Sequence, residues 1–162
     1  MTGNIETVAV VMPEESNVIL AQSHFIKTAE DIYEALIASV PQIRFGIAFN
    51  EASGPALVRT EGNDSELIDA AAGNAMAIGA GHLLVIIVRN AFPINVMSAL
   101  KAVPELTTVY CATSNPLKAV VMREGGAAGL LGVMDGLSPS GIEKEQDKRE
   151  RHEFLRKIGY KK

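Results

Sequence analysis

Short apolar runs bounded by Pro, Gly and Asn recur along the chain, and they predict β-strands. The longest run, residues 83–88, contains no polar residue, so it predicts a central strand that is buried on both faces. Residues 43–49 and 56–60 flank a Gly-Pro turn, which indicates a hairpin with a wide connection. The remaining predicted strands are residues 8–12, 18–20, 106–112, 119–122 and 130–134.

Apolar residues at helical spacing predict helices between these strands. Thr28 is the expected N-cap of the first helix, whose apolar face continues to residue 40. The second helix covers residues 65–78, with Asp64 as its cap and Gly79 after its end. Within that helix Gly73 costs roughly 1 kcal/mol relative to Ala, which predicts a close contact at this position.

Pro93 suits the first turn of a third helix, and residues 143–162 form a charged C-terminal helix or arm. The chain has no internal repeat and no linker, so residues 1–162 are predicted to form a single domain. We expect an α/β fold of three-layer α/β/α type, in which the helices pack on a mixed β-sheet. The sheet needs its edges covered, which favours an oligomer over a monomer.

The composition narrows the classes of function. Of 162 residues, 48% are hydrophobic and 21% charged, as in soluble globular proteins. A net charge of −4 argues against general nucleic-acid binding, and no apolar stretch reaches the roughly 20 residues that span a bilayer. The single cysteine, Cys111, forms neither an intrachain disulfide nor a cysteine-based zinc site. With no signal-peptide pattern, we expect a cytoplasmic protein without nucleic-acid or membrane partners.

The sequence contains no P-loop, dinucleotide-binding, nucleophile-elbow or His-Glu-x-x-His motif. The remaining candidates for a functional site are clusters of polar residues at the ends of predicted strands. The first cluster combines His24 with Lys27 before a helix N-terminus, which suits an anionic group such as phosphate. Its alternative is a structural histidine beside an ordinary surface lysine. The second cluster, Glu51 and Ser53 on a flexible turn, suits a ligand contact and also an ordinary hairpin.

Two further clusters follow the same logic. His82 comes directly after a Gly-Ala-Gly segment, and imidazole can act as a nucleophile near neutral pH. A buried, hydrogen-bonded histidine fits the same spacing. Asn95, Thr113 and Asn115 follow two other strands, where amides suit nucleobase or ribose edges. Turn chemistry alone also selects Asn-Pro. If the clusters converge in the fold, they form one ligand pocket between Glu51-Ser53, His82 and Asn115.

Read in order, several segments resemble the adenosine-specific kinases, small proteins found mainly in archaea and some bacteria. The matching segments are residues 23–28, 45–54, 79–82, 91–96, 111–116, 132–136 and 155–160. The resemblance implies an α/β fold that assembles into trimers or hexamers, binds adenosine or AMP, and carries a phosphorylated histidine. In one departure, Ala127-Ala128-Gly129 stands where the family pattern has Gly-Arg-Gly, which removes a phosphate contact.

The resemblance also implies roles for the clusters. Between the two histidines we prefer His82 as the phosphate carrier, because its glycine neighbours leave a ring nitrogen accessible. The implied donor is ATP or another phosphate donor, with or without Mg²⁺, and no bound metal site is predicted. The alternative is a non-catalytic adenosine-nucleotide sensor or assembly protein. The other implied roles are phosphate binding by His24 and Lys27, proton acceptance by Glu51, and nucleoside binding by Ser53, Asn95, Thr113 and Asn115.

Overall fold

The computed structural model describes residues 3–162, in which strands and helices alternate through most of the chain. The strands are β1 (Asn4–Ala9), β2 (Ser16–Ser23), β3 (Arg44–Asn50), β4 (Val58–Gly62), β5 (Leu83–Arg89), β6 (Leu106–Thr113), β7 (Leu117–Glu124) and β8 (Ala127–Asp135). The helices are α1 (Thr28–Ile37), α2 (Ser65–Ile78), α3 (Pro93–Lys101) and α4 (Glu145–Lys157).

The strands form two sheets, and every strand pairing is antiparallel. One sheet has the order β4-β3-β5-β2-β6 and the other β1-β7-β8. The expectation of a mixed sheet is therefore wrong. Helices α1, α2 and α3 each connect two strands that run in the same direction, but a third, antiparallel strand lies between each such pair. For α1 and α3 the third strand is β5 and β2, respectively; each comes from elsewhere in the chain, so local patterning does not reveal it.

The five-stranded sheet is the middle layer of the domain. Helices α1 and α3 cover one face, where Ile32, Phe45 and Val96 are buried. Helix α2 and the three-stranded sheet share the other face, where Leu67 and Val121 join the core. The three predicted layers are therefore present, with a second sheet beside α2 in one outer layer. Helix α4 lies outside this arrangement and has no buried residue.

Two sequence predictions hold closely. Strand β5 is buried along residues 83–88 and occupies the centre of the five-stranded order, between β3 and β2. Helix α2 begins and ends at the predicted residues. The Asp64 carboxylate accepts a hydrogen bond from the Leu67 N–H at 3.3 Å, and Gly79 ends the helix with a φ of 68° in the left-handed region.

Two local predictions are wrong. Thr28 is the first residue of α1 rather than its cap, and its hydroxyl donates to the Phe25 carbonyl. Gly73 makes no close contact, since a Cβ built there would meet no atom within 4 Å. The close approach occurs instead at Gly46 on β3, where a Cβ would lie 2.1 Å from the carbonyl carbon of Leu67. Helix α2 therefore crosses the sheet with its backbone against Gly46.

Candidate functional site

The antiparallel order divides the predicted site residues between two opposite ends of the five-stranded sheet. Strands β2 and β3 finish where β5 begins, and at the other end β2 begins where β5 and β6 finish. Strand β5 has seven residues, so about 20 Å separates the two ends. The predicted residues therefore do not converge on one pocket within one chain. The histidine end carries His24, Lys27, Glu51, Ser53 and His82, and the aromatic end carries Asn95, Thr113 and Asn115.

His82 is held in position by both neighbouring strands. Its N–H donates to the Asn50 carbonyl at 2.9 Å, and its carbonyl accepts from the Ser23 N–H at 3.0 Å. Its φ is 60°, a left-handed conformation that is uncommon for a residue other than glycine and is fixed here by those two bonds. The half-buried ring stacks on Phe49, with ring centroids 5.9 Å apart. The imidazole therefore has a fixed backbone and one supported face.

The cation and the backbone donors expected near His24 are already bonded within the chain. The Lys27 ammonium pairs with Asp31 and, at 3.0 Å, with Glu105, and these hydrogen bonds raise the pKa of Lys27. The first N–H groups of α1 donate to carbonyls of the preceding turn, such as that of Phe25. His24 is exposed and lies beside the Phe25 ring. An anion at this helix terminus would have to displace these partners.

Glu51 is held as a carboxylate by three donors. One oxygen accepts the Leu57 N–H at 2.9 Å, and the other accepts Arg59 Nε and Nη2 at 2.9 and 2.8 Å. The bond from the Leu57 backbone is the main cause that lowers the pKa of Glu51, and Arg59 adds to it. A carboxylate stabilised in this way is a weak proton acceptor. Ser53 is exposed at the tip of the same hairpin, where its carbonyl accepts the Ala56 N–H.

A cavity of about 420 Å³ lies at the histidine end, between Glu51, the C-terminus of α2 and β8. Asn50 borders it and is buried. Its amide nitrogen donates to the carbonyls of Ala75 and Ala80, while its Oδ1 has no hydrogen-bond partner. The Oδ1 atom is itself enclosed, so it offers no acceptor to a ligand in the cavity, and Asn50 joins β3 to the end of α2. The C-terminus of α2 gives this wall of the cavity a partial negative charge.

Arg123, which the sequence patterns did not indicate, lies beside this cavity, 3.0 Å from the position that a Cβ would take at the lining residue Gly79. It pairs in register with Ala128, the position where the family pattern has arginine, and Ala128 lines the cavity. Its guanidinium donates to Glu6 and to the Ala77 carbonyl, so it lies against the end of α2. The alternation of side chains along β7 could have indicated Arg123 from sequence, because it lies on the same face as the buried residue Val121, two positions earlier.

The aromatic end holds a larger cavity, of about 750 Å³, between the α3 N-terminus, the β6–β7 turn and the C-terminal segment. Its walls include the rings of Phe92, Phe154 and Tyr160 together with Thr113 and Asn115. Cavities of this size that combine apolar walls with a few polar groups are typical of small-molecule sites. Three rings around two fixed polar side chains suit a flat heterocycle.

The polar side chains of this cavity are fixed by Asp135 on β8. Its Oδ1 accepts the Thr113 hydroxyl at 2.8 Å and the Asn115 amide at 3.1 Å, and the Asn115 N–H donates to the Thr113 hydroxyl at 3.0 Å. A Cβ at Gly136 would lie 3.0 Å from Asn115 Nδ2, so a side chain there would press on the amide. Asn95 differs, because its Oδ1 accepts the Phe92 N–H at 2.8 Å and caps α3.

Neither cavity is associated with a metal-binding cluster or a membrane segment. Within residues 3–162 no group of three or more His, Cys, Asp or Glu side chains is arranged to hold a metal ion. None of the four helices in this part of the chain has the length and apolar character needed to cross a bilayer.

Comparison with known proteins identifies a family and closely similar solved structures. Residues 8–161 match the family described as adenosine specific kinase. The crystal structure of the PH1918 protein from Pyrococcus horikoshii OT3 is similar, with 43% sequence identity, a TM-score of 0.95 and 99% of each chain covered. No curated protein matches the chain.

Proposed function

The chain belongs to the adenosine specific kinase family, and on that premise we propose that it is a phosphotransferase that binds adenosine or AMP. A phosphorylated histidine carries the phosphoryl group to or from the nucleoside. The single observation that carries the proposal is the aromatic cavity, in which Asp135 fixes the Asn115 carboxamide among three rings. Adenosine offers a flat base for the rings and an edge for the amide.

The Asn115 carboxamide explains selectivity for adenine. One Nδ2 proton is donated to Asp135, which leaves the second proton and Oδ1 for a ligand. An asparagine amide bonds the N6 amino group and N7 of adenine at the same time, whereas guanine presents two acceptors there. Stacking on the rings adds affinity for any base, so the amide supplies the discrimination. Thr113 acts through Asn115, whose N–H it accepts.

His82 is our proposed phosphate carrier, with His24 as the alternative. A ring nitrogen of His82 attacks the terminal phosphorus of ATP or another phosphate donor, the bond to the leaving oxygen breaks, and the ring proton leaves. A nucleoside hydroxyl then attacks the same phosphorus, the N–P bond breaks, and the freed imidazole takes up the hydroxyl proton. The rigid backbone of His82 supports this role because in-line transfer depends on accurate placement.

The contacts that Glu51 and Lys27 make within the chain restrict their proposed roles in proton transfer and phosphate binding. Glu51 orients the β3–β4 hairpin through Arg59, and its low pKa makes it a weak base. Lys27 contacts phosphate only after it leaves Asp31 or Glu105. Ser53 and Asn95 are retained as proposed nucleoside contacts of lower importance, since Asn95 Oδ1 already caps α3.

Assembly into trimers or hexamers is part of the proposal. Large apolar side chains are exposed on the C-terminal side of the chain, with Leu137 at 96% and Ile142 at 93% of full exposure. No residue of helix α4 is buried in its own chain. Such surfaces mark contacts with other proteins. Light scattering tests this point, and a mass of 17.2 kDa at micromolar concentration would contradict it.

A non-catalytic adenosine-nucleotide binding protein is the second candidate. The observation that favours it is the pairing of the cations Lys27 and Arg59 with carboxylates of the same chain. Incubation with ATP and adenosine distinguishes the two functions, because only a phosphotransferase produces AMP.

Two measurements test the proposed function. Intact mass after incubation with ATP should show one added phosphoryl group that acid removes, as expected for a phosphoramidate. His82→Ala should abolish it, and His152→Ala, a change at an exposed position on α4, should not. Loss in His24→Ala with retention in His82→Ala would instead assign the carrier to His24. Calorimetry should show guanosine binding at least about tenfold more weakly than adenosine.

The binding site is tested by a matched pair of asparagine variants. Asn115→Ala should weaken adenosine binding, whereas Asn4→Ala, on the exposed strand β1, should not. Equal affinity for adenosine and guanosine, or no binding of either, would refute the nucleoside site.

A further inference from the structure

The two halves of the proposed site lie at opposite ends of one rigid sheet. We infer that a second copy of the chain completes the transfer site: the aromatic end and the C-terminal tail (residues 156–162) of one copy dock on the histidine end of the next. This inference rests on the proposed function, because it assumes that the nucleoside cavity and His82 act on the same phosphoryl group.

Distance is the first argument. About 20 Å of β5 separates the histidine end from the aromatic cavity, whereas reacting atoms in transfer must approach to about 3–3.5 Å. His82 is bonded through its N–H to β3 and through its carbonyl to β2, so it does not swing across that gap. A nucleoside in one copy's aromatic cavity therefore meets the histidine of a different copy.

Charge is the second argument. The histidine end carries the carboxylates of Glu30, Asp31, Glu51 and Glu105 and, beside its cavity, that of Glu6. Its cations Lys27, Arg59 and Arg123 are each paired with a carboxylate of this set. A phosphoryl group on His82 adds negative charge that these cations do not neutralise. The tail carries four cations and no acidic side chain: Arg156, Lys157, Lys161 and Lys162. Within residues 3–162 none of the four forms an ion pair.

Apolar surface is the third argument. Phe25 and Leu57 are half exposed at the histidine end, and Phe92 and Phe154 are more than half exposed at the aromatic end. Contact between unlike ends covers both sets and gives the basic tail an acidic counterpart. Such contacts close in a ring of copies or in an antiparallel pair. The occupant of the histidine end is therefore another copy of this chain.

Subunit complementation tests the shared site through activity. His82→Ala and Asn115→Ala should each form little AMP alone. After joint unfolding and refolding at equal amounts, about one quarter of the interfaces pair an intact histidine end with an intact aromatic end, so about one quarter of wild-type activity should return. A site within one chain gives no recovery, because every copy lacks one half. Wild-type protein taken through the same refolding is the control.

Cross-linking tests the same interface without activity. Wild-type protein labelled with ¹⁵N is mixed with unlabelled protein, refolded, and treated with a carbodiimide that joins lysines to carboxylates. We expect linked peptides that join the tail to the segments containing Glu30 or Glu51, with one peptide labelled and the other not. Links confined to one label class would overturn the inference. If wild-type protein forms no AMP, the proposed function fails while these mixed links still decide whether the ends meet.

Discussion

Replacing Gly46 with alanine should destabilise the protein strongly, because the backbone of α2 occupies the space that the new Cβ needs. The new Cβ would lie 2.1 Å from Leu67 C, 2.2 Å from Ile68 N and 2.3 Å from Leu67 O, whereas carbon contacts are ordinarily about 3.5–4.0 Å. All three obstacles are backbone atoms of α2, so no side chain can rotate away. The helix must retreat from β3 by more than about 1 Å, which separates the packed face of α2 from the sheet.

The expected cost follows from overpacking in other cores, which is about 1–3 kcal/mol, and backbone obstacles place this site near the upper end. At about 2–4 °C per kcal/mol for a chain of this length, Gly46→Ala should lower Tm by about 6–12 °C. Gly73→Ala is the matched control. Gly73 is exposed within α2 with no atom near its missing Cβ, so alanine should stabilise the helix by about 1 kcal/mol and raise Tm by about 2–4 °C.

The assay is thermal unfolding of both variants and the wild type by circular dichroism. Protein concentrations must be equal, because assembly makes Tm depend on concentration. Opposite signs for the two variants support the packing of α2 on Gly46. The reasoning would be refuted if both variants melted within a degree of the wild type, or if Gly73→Ala were the less stable of the two.

Three further predictions concern single side chains. Asp64→Ala removes the acceptor for the Leu67 N–H at the start of α2, so a urea titration should show a loss of about 1 kcal/mol in the free energy of unfolding. Asp64→Asn should recover most of that loss, and unchanged stability in Asp64→Ala would contradict the cap. Burial raises the pKa of Cys111 to about 11, so its alkylation rate should keep rising with pH beyond 10, and a plateau near pH 9 would show an exposed thiol. The pKa of Glu51 is lowered, so the stability from its hydrogen bonds is present above its ordinary pKa of 4.5 and is lost as pH falls through the lower folded pKa. NMR titration of its carboxyl should therefore give a midpoint below 4.5. A midpoint at or above 4.5 would contradict the Arg59 and Leu57 contacts.

Part of the candidate site was accessible from sequence and part was not. The polar clusters at strand ends identified Thr113 and Asn115, which border the aromatic cavity, and His82, which two strands hold in place. The sequence did not indicate that Asp135 fixes the first two, or that Arg123 reaches the end of α2. Those contacts join residues at least 20 positions apart, and only strand pairing brings them together.

Local sequence patterns were sufficient to predict β5 and α2, whose boundaries depend on residues close together in the chain. An unbroken apolar run is sufficient for β5 because a strand buried on both faces has no polar side, and Asp64 and Gly79 define α2 because capping uses neighbouring backbone groups. The tertiary structure alone decided the strand order. Strand β5 lies between β2 and β3, and β2 lies between β5 and β6, so the pairings among these strands are all antiparallel. The clusters after β3 and β6 therefore lie at opposite ends of the sheet. Strand neighbours are chosen by long-range packing and hydrogen bonding, so the sequence determined which residues end each strand, and the fold determined which of those ends meet.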